Sequence, residues 1–309
     1  MSLRARLLGL TLRTTVRPVI AAWTLAPRMP WPYAVVDPVG LLNGRVKGTT
    51  FARTEIDGVR VLEVTPGRVR DDRCIVYMPG GAFLVGGRHL HRNLLARIAY
   101  VTGARIVAVE YRKLPRHPIS ASLADCQAVY EAVLRARPAD EVILMGDSAG
   151  GFLSLALMAS IQDLGLPEPA GVVALSPLCE VRSEMRQQRR LACPVFGPGA
   201  IPAMLEVAAA KETSDYRHPA DLQPDTLPPV LLQAARRESL FPEIKQLARM
   251  LADGGADCEL QAWPLDVHVF QAAAMVPEAR EAVRGIKTWC DRTWAEAAVG
   301  AASRGLQSA

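Results

Sequence analysis

The sequence predicts an α/β fold, with a mostly parallel central sheet flanked by helices and a helical cap. Three observations carry this. Short apolar runs alternate with longer amphipathic ones from residue 74 onward, and strands alternating with helices imply parallel crossovers and a sheet covered on both faces. Half of the 309 residues are hydrophobic, enough for a sizeable core. One long interruption, residues 181–213, sits between two strand candidates and is too long for a plain crossover.

In chain order, residues 1–48 read as an N-terminal helical cap segment and its connector. Leu8, Leu12, Val16, Val19 and Trp23 recur at helical spacing, while Arg6, Arg13 and Arg17 project from another face. Pro18 should break or kink this helix. A helix covering the domain is the first reading, a helix lying on a membrane surface the second, and a secretory signal the third. Residues 27–48 are rich in proline and glycine and form the connector.

The core spans 49–180 and 214–297. In "TEIDGVRVLEV" (54–64), Asp57-Gly58 separates two alternating runs and signals a hairpin. Strands follow at 74–78, 106–111, 142–145, 171–176, 229–233 and 258–263. Helices follow at about 88–102, 120–136, 149–163, 242–254 and 277–297. The inserted cap, 181–213, should carry a helix near 200–210. The small, polar tail from 298 to 309 reads as frayed.

Charge and cysteines narrow the function classes. The formal charge is +5, from 36 basic and 31 acidic residues. Five arginines (4, 6, 13, 17 and 28) and no acid fall within residues 1–36, so the remainder is balanced. A nucleic-acid footprint on the main domain is not supported. Six scattered cysteines form no CxxC pair or Cys/His cluster, which argues for reduced thiols of a cytoplasmic protein and against a metal. No run of 18 uncharged apolar residues suggests a membrane-spanning helix.

The chemistry centres on "VILMGDSAGGFLSLALMAS". An apolar strand runs into Gly146-Asp147-Ser148-Ala149-Gly150 and then a helix, the strand–turn–helix context of G-x-S-x-G. The glycines make room for a strained elbow that exposes Ser148 Oγ, and the Ala149 N–H lies at a helix start that favours negative charge. A serine needs a base, and the base needs an acid. Of five histidines, only His218 and His268 follow Ser148. His268 sits after the last strand, where a loop at the carboxyl edge belongs, and His218 reads as a surface or structural residue. Glu238 is the first carboxylate past strand 229–233 and is the expected acid. Glu243, at a helix start, is the alternative, and Asp266 should point elsewhere. Arg236 and Arg237 would favour ionised Glu238 if they approach it. The backbone of "PGGAF", through Gly80, Gly81 and Ala82, can join Ala149 in receiving an oxyanion.

At this point the chain resembles the bacterial hormone-sensitive-lipase-like (family IV) esterases and lipases of the α/β-hydrolase fold. The resemblance spans about 50–297 and rests on "PGGAF" (79–83), "VEYRKLPRHPISASLAD" (109–125), "GDSAGG" (146–151), "LSPLCE" (175–180), "LPPVLLQA" (227–234), Glu238-x-Leu240 and "HVF" (268–270). It implies Ser148, Glu238 and His268 as the triad, and Gly80, Gly81, Ala82 and Ala149 as the oxyanion-hole region. It also implies a cap from the N-terminal segment and 181–213, short- to medium-chain acyl esters as substrates, and no cofactor. Pro79 stands where the family usually has a histidine, and "AARRE" replaces a glycine with small or acidic residues in the acid loop.

The expected function is therefore a serine carboxylic-ester hydrolase. Its partner is a small-molecule ester, and membrane-surface contact through the N-terminus and a homodimer stay open. The rivals are a hydrolase-like binding protein without turnover, suggested by Pro79, an amidase or lactonase, and a membrane-associated lipase. Trp31, Phe196 and Met204 are candidate walls of the acyl pocket. Tyr111, Arg112 and Asp125 read as architectural contacts, His89 and His91 as a solvated helix start, and the arginines of "EMRQQRR" (184–190) as a solvated cap face.

Overall fold

A computed structural model describes residues 1–307 except 43, 45, 88, 182–192 and 213. One eight-stranded sheet organises the chain: β1 (Thr49–Ile56), β2 (Val59–Pro66), β3 (Cys74–Met78), β4 (Arg105–Val109), β5 (Val142–Asp147), β6 (Gly171–Leu175), β7 (Val230–Ala235) and β8 (Cys258–Trp263). Their order is β1-β2-β4-β3-β5-β6-β7-β8. β2 runs antiparallel to β1 and β4, and the other pairings are parallel. Asp57 (φ 49°) and Gly58 (φ 78°) make the tight turn between β1 and β2.

Among the described residues the α-helices are α1 (Leu3–Leu25), α2 (Arg92–Thr102), α3 (Ile119–Leu134), α4 (Ala149–Leu164), α5 (Ala200–Ala209), α6 (Phe241–Asp253) and α7 (Pro277–Gln307). The strand period of two divides the core between them. Cys74, Val76 and Met78 join one apolar cluster with α3, α4, α5 and α6, while Ile75 and Tyr77 join a second with α2 and α7. A third cluster gathers Leu265, Val267, Phe270 and Ala282 beneath Ala5, Leu8 and Leu12 of α1. Burial pushes the Cys74 thiol up to about 11 and the Cys258 thiol up to about 12, so neither is a ready nucleophile.

Three elements differ from the sequence expectation. α1 continues through Pro18, which lies on the exposed side of the helix. The helix expected from 88 begins at Arg92, because the N–H groups of His89 and Leu90 both donate to Asp37 Oδ1 at 3.0 Å. The tail expected to fray from 298 is helical to Gln307, in keeping with its alanine content. The helix expected near 200–210 is α5, beside α1, with Arg28 paired to Glu206 at 2.9 Å. Most of the inserted segment before it, including "EMRQQRR", lies outside the described residues.

Leu144 is fully buried in the central strand β5, whereas Leu7 on α1 is 55% exposed. Leu144→Ala is expected to cost about 2–5 kcal/mol in urea unfolding. Leu7→Ala should stay within about 0.5 kcal/mol. Equal losses at the two positions would contradict this placement of the core.

Candidate active site

Strand register brings the candidate residues to one edge. Met78 pairs with Gly146 and Leu175 with Asp147, while Ala235 pairs with Trp263. The loops after β3, β5, β6, β7 and β8 therefore all leave the sheet at its carboxyl side, where open α/β sheets hold their ligands.

Ser148 occupies the sharp turn between β5 and α4, at φ 53° and ψ −119°. Its flanking glycines are required by contact. A Cβ at Gly146 would lie 2.2 Å from the Gly150 carbonyl oxygen, and one at Gly150 only 1.8 Å from that of Met78. The strained turn is held by Ser148 N–H donating to Leu175 O at 2.8 Å and Leu178 N–H donating to Ser148 O at 3.1 Å.

Ser148 Oγ lies 2.8 Å from His268 Nε2, and His268 Nδ1 lies 2.7 Å from Glu238 Oε2. Glu238 is fully buried, and its other oxygen accepts from Ala235 N–H at 3.3 Å. Arg236 and Arg237 turn outward instead, and their N–H groups bond to the carbonyls of Trp263 and Leu265. That backbone pairing holds the acid loop beside the histidine loop. Glu243 sits in the first turn of α6, and Asp266 lies against Gly9 of α1. His218 is buried apart from this line, 3.4 Å from Glu180 and stacked on Tyr216.

The glycine loop corrects one expectation. Gly80 N–H donates to Asp147 Oδ1 at 3.0 Å, so it is not free to receive an oxyanion. The N–H groups of Gly81, Ala82 and Ala149 have no protein acceptor among the described residues. Gly81 has φ 123°, and a Cβ there would lie 2.4 Å from Val85 O. Ala82 and Phe83 also have positive φ (55° and 58°), and buried Phe83 packs edge-on against Phe152.

Asp147 anchors this loop, and the sequence reading assigned it no part. Besides Gly80 N–H, it accepts from Tyr77 Oη at 2.8 Å and faces His91 Nε2 at 3.2 Å. Burial opposes its ionisation, but the charge of His91 and the hydrogen bonds from His91, Tyr77 and Gly80 outweigh it. The carboxyl sits below its ordinary range. His91 is thus a buried loop support rather than a solvated helix start. Tyr111 Oη donates to Pro79 O at 2.5 Å, and Arg112 pairs with Asp125 at 2.8 Å. Tyr111 thus holds the Pro79 carbonyl, as Asp147 holds the Gly80 N–H.

Phe196 packs its ring 4.9 Å from that of His268, while Met204 is buried in the main core. Trp31, with Tyr33, Leu84, Gly86 and Tyr111, lines a cavity of about 990 Å³ whose wall does not include Ser148. Among the described residues no group of three His, Cys, Asp or Glu could hold a metal ion.

Comparison with known proteins agrees with this architecture. Residues 75–272 match the family described as alpha/beta hydrolase fold. The chain is 32% identical to Esterase LipU of Mycobacterium tuberculosis, over 88% of this chain and 96% of that one. It is 31% identical to Carboxylesterase/phospholipase LipF of the same organism, over 92% and 80%. The crystal structure of EstE7, a hormone-sensitive-lipase homologue from a metagenome library, superposes with a TM-score of 0.82 at 26% identity, covering 95% of this chain and 99% of that one. Fold, motifs and relatives together make the chain a member of the α/β-hydrolase family, in its hormone-sensitive-lipase-like esterase branch.

Proposed function

We propose that the chain is a serine carboxylic-ester hydrolase acting on short- to medium-chain acyl esters through an acyl-enzyme. The observation that carries this is the hydrogen-bonded line from Ser148 Oγ through His268 to buried Glu238, with Ala149 N–H at the start of α4 beside it. A receptor has no use for a histidine so paired.

In this reading Ser148 Oγ attacks the ester carbonyl carbon as His268 Nε2 takes its proton. Glu238 holds the Nδ1 proton, fixing the imidazole tautomer and supporting the imidazolium that forms. The oxyanion accepts from Ala149 and from Gly81 or Ala82, donors already in place before reaction. Collapse expels the alcohol, which takes the proton from His268 Nε2. Water then attacks the acyl-enzyme with His268 again as base, releasing the carboxylic acid and restoring Ser148. Relatives bearing esterase and carboxylesterase names support the same chemistry.

The test is hydrolysis of p-nitrophenyl esters from acetate to dodecanoate. Ser148→Ala should lower kcat by on the order of 10³-fold or more. Glu238→Gln should lower it by about 10²–10⁴-fold. Turnover surviving in Ser148→Ala would overturn the assignment. No turnover by the native chain on any of these esters would favour the binding-protein reading.

Asp147 supplies a second check through the loop it anchors. Because its folded pKa is depressed, its stabilisation is present above the unfolded value of about 3.9. That stabilisation is lost as pH falls through the folded value. Asp147→Asn should therefore lower the unfolding midpoint at pH 7, and the gap to the native chain should narrow as pH drops below about 4. A gap equally wide in acid would show that ionised Asp147 is not what the loop depends on.

A further inference from the structure

α1 carries two apolar faces, and among the described residues only one of them has a partner. Ala5, Leu8, Leu12 and Trp23 point inward to the protein. On the other side Leu3, Leu7, Leu10 and Leu25 are 71%, 55%, 60% and 87% exposed. Their spacing of four, three and fifteen residues places them on one outward stripe of the helix. Two further features distinguish that stripe from scattered surface leucines.

The first is how its threonines are satisfied. Thr11, Thr14 and Thr15 donate their hydroxyls to the helix carbonyls of Leu7, Leu10 and Thr11 at 3.0, 3.1 and 2.7 Å. Such back-bonding spends the hydroxyl protons within the helix, so these side chains call for no further acceptor. The second is charge. Arg6 and Arg13 recur along one edge of the stripe, and no acidic partner faces them among the described residues. Residues 1–36 contain no acid at all.

We propose that the outward face of α1 docks on a bilayer rich in anionic lipid. The leucines enter the headgroup–acyl boundary while the arginine row meets the negative surface. The helix lies on the membrane rather than across it, since no described helix is long and apolar enough to span one. A second copy of this chain fits worse, because a two-fold contact sets the same patch against itself and brings the arginine rows together with no acid to offset them.

The placement has a consequence for the candidate site. The inner side of α1 rests on residues 194–199: a Cβ at Gly9 would lie 3.5 Å from Pro194, and Gly197 faces the Arg17 guanidinium. Phe196, in that segment, is the ring packed against His268. The bilayer is then separated from the wall of the site by one helix, about 10–12 Å across. Amphiphilic esters held in the membrane become near neighbours of Ser148.

The test is co-sedimentation of the full chain with vesicles of equimolar phosphatidylglycerol and phosphatidylcholine, against phosphatidylcholine alone. Binding is expected to the first and to fall with added salt. Leu7→Gln/Leu10→Gln should lower the partition coefficient at least about tenfold. Arg6→Gln/Arg13→Gln should lower it about fivefold per arginine removed. The far-UV circular dichroism and urea-unfolding midpoint of both variants should match the native chain, which shows that they fold. Partitioning equal on the two vesicle types, or unchanged by both variants, would overturn the proposal. So would light scattering without vesicles that finds a native dimer split by the leucine variant, since the face then belongs to a second copy. Pelleting needs no turnover, so this test stands apart from that of the esterase reading.

Discussion

The close approach of α4 to the end of β3 is the constraint on which the site depends. At Gly150 there is no room for even a methyl group beside the Met78 carbonyl. This contact lets the helix begin directly above the sheet, so that its N-terminus and the glycine loop after β3 lie side by side. The parallel register of Met78 with Gly146 sets the same geometry from below. An alanine at either glycine would push helix from sheet and separate Ser148 from the loop donors together.

Asp147 links the two halves of that arrangement. It precedes Ser148 in the chain, yet its carboxylate faces the neighbouring loop, where Gly80, Tyr77 and His91 converge on it. One buried anion thus couples the elbow to the glycine loop. Tyr111 holds the same loop through the Pro79 carbonyl. Three consecutive residues with positive φ, Gly81 to Phe83, remain in place because these contacts and the burial of Phe83 over-determine them. Under the proposed acyl transfer, donors fixed this way need no reorganisation as charge develops.

α1 connects this chemistry to the outside of the molecule. Its inner face covers the third apolar cluster and the segment bearing Phe196. Its outer face repeats apolar residues at helical spacing without protein cover. A helix that only shielded the core would have a polar outer face.

Much of this was legible in the chain itself. Alternating strand and helix patterns announced a parallel sheet, because the two periods, 2 and 3.6, leave different marks on the sequence. Gly146-Asp147-Ser148-Ala149-Gly150 marked the elbow, because its steric demand falls on residues adjacent in the chain. His268 and Glu238 could be singled out by their places just past strands. Hidden from the sequence were contacts between distant segments. That His91 is buried against Asp147, and that Gly80 gives its N–H to the same carboxylate, follows from packing α2 and the β3 loop around β5. Likewise, periodicity showed α1 to be amphipathic, but only its docking on residues 194–199 and 265–282 decided which leucines turn inward and which face out. Local sterics are written in neighbouring residues, whereas the burial of a polar group or the exposure of an apolar one is settled only when the whole chain has folded.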